Sequence, residues 1–157
     1  MRVSTKADYA LRVVLHLAAE AGGGPVAAHT VADRQAIPLA SLRHVLAELN
    51  RQGLIRSHRS EPRGYSLARP ADEMTLADVV TAVEGKVVSV GDNGIDGLEY
   101  EGAAAPLLDV WLAVESSVRS ILHDSSVADL LGLAGLSAEG AEDGAGVGAA
   151  PAVVTPA

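Results

Sequence analysis

The sequence predicts a mainly α-helical fold with one small β wing and a long C-terminal helix. Hydrophobic residues make up 48% of the 157 residues, but there is no Phe, one Trp and three Tyr, so the core must be aliphatic. Apolar residues recur at helical spacing in several segments, whereas strand character is confined to one short stretch around a turn. A chain of this length can form one main core with an appendage.

The charge is divided unevenly along the chain. The net charge of -8 would by itself disfavour a nucleic-acid partner, because phosphates are bound by Lys and Arg. Residues 1–70, however, hold ten Lys or Arg against five Asp or Glu, a net charge of +5, whereas residues 71–157 hold two against fifteen, a net charge of -13. Contacts with an anionic partner are therefore expected in the first part of the chain.

The residue types and motifs that the chain lacks argue against several functions. There is no cysteine, which excludes disulfides, catalytic thiols, zinc fingers and cysteine-held iron–sulfur clusters. The histidines show no metal-ligand spacing, so we expect no metal and no cofactor. No nucleophile–base pair, P-loop or dinucleotide motif indicates an enzyme. A signal-peptide pattern and an apolar run of roughly 20 residues are also lacking, which predicts a cytoplasmic protein with no membrane partner.

The basic part of the chain opens with a predicted amphipathic helix. Ser4 or Thr5 can cap its start, and three glycines and a proline at residues 22–25 end it. The apolar positions recur three and four residues apart, which places them on one face. That predicted face consists of Leu11, Val14, Leu15 and Ala18.

Two further helices are predicted next, separated by a short turn. The shorter one has about two turns, starts at a capping box of Thr30 and Asp33 and closes at the Ile37–Pro38 step. The other ends at Gly53 and is apolar on one side only. That side consists of Leu42, Val45, Leu46 and Leu49.

A basic hairpin and a fourth helix follow. Residues 54–59 and 65–68 have the character of strands and flank a turn. Thr75 and Asp78 form a capping box for the fourth helix, which Gly85 ends. The apolar positions of that helix are Leu76, Val79, Val80 and Val83, and Met74 precedes the cap as a hydrophobic staple.

The acidic part of the chain contains a loop, a long helix and a tail. Residues 86–105 are predicted to form an acidic loop, of which residues 89–102 are mobile and without regular structure. Residues 106–131 form a long helix and a final turn capped by Ser126, and residues 132–157 are predicted to be disordered. The long helix has two apolar stripes, so one can pack on its own domain and the other on a twofold mate. The predicted dimer seam is Leu107, Trp111, Val114, Val118 and Ile121, beside a second stripe of Leu108, Leu112 and Leu122.

The order of the elements in residues 1–85 indicates a function. Helix, short helix, turn, helix and basic hairpin is the order of a winged helix-turn-helix. Each piece alone is a common surface feature, but their joint occurrence favours a protein that binds double-stranded DNA. The third helix can enter a major groove about 12 Å wide, where Arg43 suits guanine, and an arginine of the hairpin suits a narrow minor groove. The predicted contacts on these two elements are Ala40, Ser41, Arg43, His44, Arg56, His58, Arg59 and Arg63.

Several segments of the chain form a pattern that is found in one family. They are Met1 to Arg12, Val31 to Gln35, the Leu42 to Leu54 helix with its exit to Ile55, Arg59, Gly64 to Ala68, Thr75-Leu76 and Ala82 to Gly85. In these segments the sequence resembles the Rrf2-type transcription regulators. The resemblance covers residues 1 to about 131 and implies a homodimer whose long helices cross near residues 106–122. It also implies DNA contacts from the start of the first helix, the third helix and the wing, with Arg59 entering the minor groove. The further predicted contacts are Ser4, Thr5, Lys6, Thr30 and Arg51.

The sequence departs from this family's pattern in three places. Members that hold an iron–sulfur cluster have three cysteines in the loop that corresponds to about residues 91–106, so no thiolate cluster can form here. The polar residues that occupy this loop instead, which fall short of a calcium-binding pattern, are Asp92, Asp96, Glu99, Tyr100 and Glu101. The glycine-rich wing tip is replaced by residues 60–64, which include Glu61 and Pro62. Arg43 stands where some relatives have an acid, which should alter the DNA sequence that is bound.

Two hypotheses of function follow. The first is a homodimeric regulator, with repression as the expected direction, on a pseudo-palindromic operator. The alternative is a regulator with the same fold that acts through a partner protein. Retention on random DNA at low salt distinguishes them, because a basic face binds DNA weakly even without its operator. The signal stays open: a small molecule between the long helix and the winged domain, a protein effector, protonation of His44 or His58, or no effector.

Overall fold

A computed structural model describes residues 3–85, 89–90 and 93–136, and it has the predicted mainly helical fold with a small β wing. Short 3-10 turns at Ala21–Gly23, Ala71–Glu73, Ile95–Gly97 and Gly102–Ala104 join the larger elements. The helices are α1 (Thr5–Ala19), α2 (Ala28–Gln35), α3 (Leu39–Arg51), α4 (Leu76–Glu84), α5 (Leu107–His123) and α6 (Val127–Leu133). The strands are β1 (Ile55–His58), β2 (Gly64–Leu67), β3 (Ser89–Val90) and β4 (Asn93–Gly94).

Helix α1 lies at the centre of the fold, where it contacts α2, α3, α4, α6 and β2. Ser4 caps its start by accepting a hydrogen bond from the backbone N–H of Ala7, as predicted. Of the predicted apolar face, Val14 and Ala18 are buried, and Leu11 and Leu15 are half-buried and pack against the core. A helix that is packed on several sides buries a wider arc than one stripe. The buried residues of α1 are Ala7, Ala10, Val13, Val14, Leu17 and Ala18.

Helix α2 starts earlier than predicted. Ala27 is at its N-cap, so the predicted Thr30 cap is wrong and Thr30 lies half-buried inside the helix. The reason is a tertiary contact: Val26 and Tyr65 exchange backbone hydrogen bonds of 2.9 and 2.8 Å, which hold the chain against β2 until α2 begins. Ala36, in the left-handed conformation, ends α2, and α3 begins after Pro38.

The wing and helix α4 follow the prediction closely. Strands β1 and β2 pair antiparallel, with Ile55 opposite Leu67 and His58 opposite Gly64. In α4 both hydrogen bonds of the Thr75–Asp78 capping box form. The four predicted apolar residues of α4 and Met74 are buried. The predicted apolar side of α3, namely Leu42, Val45, Leu46 and Leu49, is buried as well.

The acidic region is more ordered than predicted. Strands β3 and β4 form a short antiparallel ladder, and Ile95 is buried at the start of the Ile95–Gly97 turn, which contacts α5. The prediction of a loop without regular structure is therefore wrong. Ser126 and Asp129 form a complete capping box, and α6 extends to Leu133, beyond the predicted end. The predicted disordered tail therefore starts too early, and its residues 137–157 lie outside the described residues. None of the described helices has the length and hydropathy to cross a membrane.

Candidate nucleic-acid interface

The solvent side of α3 carries the predicted major-groove contacts. Ala40, Arg43 and His44 are exposed, whereas Ser41 is half-buried beside the core face. Because the four apolar residues of α3 are buried, the orientation of this exposed side is fixed by packing. Ala47 and Asn50 are exposed on the same side and were not among the predicted contacts. Their positions four and seven residues after Arg43 were the signal that could have identified them.

Arg51 lies at the end of α3 and is held by neighbouring side chains. Its guanidinium donates two hydrogen bonds to the carboxylate of Glu48, and Gln52 donates a third at 3.2 Å. The hydrogen bond from Arg51, followed by that from Gln52, keeps the pKa of Glu48 below its usual value. A DNA phosphate must therefore compete with the ionised carboxylate of Glu48 for the guanidinium of Arg51.

The wing and the start of α2 enclose a cleft of about 630 Å³. His58, Arg59 and Arg63 line this wing cleft together with Ala27 and Ala28 at the beginning of α2. Arg59 is exposed, Arg63 lies 3.3 Å from Glu61, and Nε2 of His58 lies 2.8 Å from the hydroxyl of Ser66. Arg56 is exposed on β1 but does not line the cleft. The structure thus brings three of the four predicted wing residues to one place.

The start of α1 is bound to the end of α4. The hydroxyl of Ser4 donates to the carboxylate of Glu84, and Nζ of Lys6 donates to the backbone carbonyl of Val83 at 2.6 Å. Thr5, between them, is exposed. Two of the three residues predicted to contact DNA at the start of α1, Ser4 and Lys6, are therefore hydrogen-bonded to α4 in this conformation.

One side of α5 is apolar and uncovered. None of its residues is buried, and its predicted seam divides into the half-buried Trp111, Val114 and Val118 and the exposed Leu107 and Ile121. Val110, which was not predicted, is 52% exposed, and Ile121 is 67% exposed. At about 3.6 residues per turn these residues share one side, which we call the α5 strip. Its members are Leu107, Val110, Val114 and Ile121.

Comparison with known proteins identifies the family. The family model described as Rrf2, an iron-dependent transcriptional regulator, matches residues 3–132. The chain belongs to the Rrf2 family. It is 42% identical over 132 residues to Rv1287 of Mycobacterium tuberculosis, which is named as an HTH-type transcriptional regulator; the match covers 84% of this chain and 82% of that protein. It is 27% identical to the HTH-type transcriptional regulator CymR of Bacillus subtilis, over 83% of this chain and 89% of CymR.

Solved structures of Rrf2 regulators have the same fold. The IscR structure from T. potens matches with a TM-score of 0.71 and 29% identity, and covers 85% of this chain and 88% of that one. The structure of CymR, the global cysteine regulator of B. subtilis, matches with a TM-score of 0.72 and 26% identity, over 85% of this chain and 98% of that one. This Rrf2 protein is accordingly a winged-helix, DNA-binding transcriptional regulator.

The loop before α5 does not fit a thiolate-bound iron–sulfur cluster. The chain has no cysteine, and Glu99 and Glu101 are exposed. Within residues 3–85, 89–90 and 93–136, no group of three acidic or histidine side chains could hold a metal ion. The predicted loop residue Asp92 and the side chain of Asp96 lie outside the described part.

Proposed function

We propose that this Rrf2 regulator is a homodimeric repressor that covers a pseudo-palindromic operator. The observation that carries the proposal is the exposed start of α3, where Arg43 and His44 stand on a helix whose opposite side is buried. Such a rigid helix can insert its first turns into the major groove, and a guanidinium matches the O6 and N7 acceptors of guanine. Two such helices on a twofold dimer would contact two half-sites.

Phosphate contacts are proposed for the wing cleft and the helix ends around it. Ala27 at the N-cap of α2 offers no side-chain acceptor, so the first N–H groups of α2 are available to an anion. Arg59 and Arg63 add positive charge at the same cleft. Thr5, Thr30, Arg56 and Arg51 are proposed as further contacts, and Ser4 and Lys6 as contacts that require release from α4.

The test of base recognition is the Arg43→Ala variant. Loss of a bidentate contact to guanine should weaken operator binding by about 1–3 kcal/mol and broaden the base preference at one position in each half-site. Sequence selection from the source genome followed by fluorescence anisotropy measures both quantities. Arg12→Ala, which removes the same charge from a half-buried α1 residue paired with Asp8, is the matched control. An unchanged operator sequence and affinity for Arg43→Ala would contradict this role.

The test of the wing is Arg59→Ala. The narrow minor groove of A·T-rich DNA has a more negative potential, which attracts an inserted arginine, so removal of Arg59 should lower affinity most for A·T-rich flanks. The slope of log affinity against log salt should fall by about 0.9 for each lost phosphate contact. Binding is measured at several salt concentrations with A·T-rich and G·C-rich flanks. If the variant and the unmodified chain give the same slope and the same flank preference, Arg59 does not contact DNA as proposed.

The alternative, a regulator that acts through a partner protein, makes a different prediction for the same samples. It expects no salt-dependent retention on random DNA, whereas a basic DNA-binding face retains the protein at low salt.

Because the operator is chromosomal, the proposed repressor acts in the cytoplasm. Its wing cleft and α3 surface belong to residues 1–85, its dimer surface to residues 106–131, and residues 86–105 connect the two.

A further inference from the structure

A second cleft, of about 410 Å³, lies where the end of α3, helix α4 and the C-terminal part of α5 meet. Its volume is within the range of small-molecule sites. Leu54 and alanines of α4 provide apolar lining. The polar residues around this inter-helix cleft are Gln52, Arg69, Asp78, Thr81, Arg119 and His123.

The charges around the inter-helix cleft favour an anion. Two arginines line it against a single carboxylate, that of Asp78. Arg119 is one of only two Lys or Arg residues after residue 70. The cleft is thus lined by one of the few positive side chains in a strongly acidic part of the chain. The lining is thus positive in a region whose overall charge is negative.

Both guanidinium groups keep hydrogen-bonding capacity for a ligand. Nη2 of Arg69 donates to Asp78 at 2.8 Å, but Nε of Arg69 is buried and has no acceptor within the part of the chain that the structure describes. A guanidinium has five N–H donors, so one bond leaves most of them free. Arg119 donates to Glu115 at 2.8 Å on the helix surface, with 64% of its side chain exposed. This pair uses one of the five N–H donors of Arg119.

The inter-helix cleft also stays open if α5 pairs with a second copy through the α5 strip. Arg119 and His123 lie on the side of α5 opposite Val110 and Ile121, at about 3.6 residues per turn. Helix α4 packs against α5, and Gln52 directly follows α3. A ligand in the cleft would therefore contact the long helix and the end of the major-groove helix at the same time.

We propose that the inter-helix cleft binds a small organic anion that carries a carboxylate or phosphate group. The anionic group bonds to the guanidinium groups of Arg119 and Arg69, Gln52 and Thr81 contribute polar contacts, and the body of the ligand lies on the apolar lining. Binding of the anion does not depend on the proposed function. An effect of the bound anion on operator binding does rest on it.

The experiment is an NMR titration of the ¹⁵N-labelled full chain with succinate and, separately, with inorganic phosphate, against sodium chloride at equal ionic strength. Saturable shifts at the amides of Gln52, Thr81 and Ala82 with either probe are expected. Arg119→Gln should weaken binding by about tenfold, because a charge-assisted hydrogen bond is lost. Arg12→Gln is the matched control, since Arg12 is likewise paired with a carboxylate four residues earlier on a helix.

Three outcomes would overturn the proposal: no saturable shifts with either anion, shifts confined to the wing, or equal binding by Arg119→Gln and the unmodified chain. Thr81→Val, at an exposed position of α4, gives a second variant that should also weaken binding without unfolding the chain. Operator affinity of the unmodified chain, measured without added anion, reports separately on the proposed function.

Discussion

A Val110→Asp variant should be monomeric at micromolar concentration, where we expect the unmodified regulator to be a dimer. Val110 is exposed in the single chain, so the substitution leaves the core of the protomer intact. If the α5 strip packs against its twofold mate, each dimer would bury two unpaired carboxylates. Burial of an unpaired charge costs several kcal/mol, and the dimer dissociation constant should rise by at least about a hundredfold. Light scattering after size exclusion measures the change.

The control for this variant is Ser116→Asp. Ser116 is exposed on the same helix but lies about a third of a turn or more away from the α5 strip, so this variant should remain dimeric. Operator affinity should follow the oligomeric state, because two half-sites bound by one dimer gain from effective concentration. If Val110→Asp and Ser116→Asp have equal mass and equal operator affinity, the α5 strip is not the dimer surface.

Local patterns in the sequence were sufficient to predict the helices that carry the proposed site. The apolar spacing of Leu42, Val45, Leu46 and Leu49 was sufficient to place Arg43 and His44 on the solvent side of α3, because a single buried stripe fixes the orientation of a helix. The capping boxes at Thr75 and Ser126 were correct for a similar reason: each depends only on residues three positions apart.

Features that depend on distant residues could not be predicted in this way. The start of α2 is set by the pairing of Val26 with Tyr65, and the Thr30–Asp33 pattern that resembled a cap is overridden by it. The bonds from Ser4 and Lys6 to the end of α4 join residues that are far apart in the sequence. The wing cleft is likewise formed only when β1, β2 and the start of α2 are packed together.

The pairing between the wing and the chain before α2 should be highly sensitive to Gly64→Ala. A Cβ at residue 64 would lie 2.5 Å from the carbonyl oxygen of Val26 and 2.6 Å from its carbonyl carbon, so the backbone must separate. Overpacking and the loss of the Val26–Tyr65 hydrogen bonds should together lower the free energy of unfolding by about 2–4 kcal/mol. Urea unfolding followed by circular dichroism measures this loss.

The same variant should also weaken DNA binding while the chain is still folded, because the wing and the start of α2 share the wing cleft. Gly23→Ala is the matched control: an added Cβ there meets no atom within 4 Å, and the residue lies close to Val26 in the chain. We expect Gly23→Ala to keep its stability and operator affinity. If Gly64→Ala has the unmodified stability and affinity as well, the wing is not held against α2 by this contact, and the proposed phosphate site between them loses its structural basis.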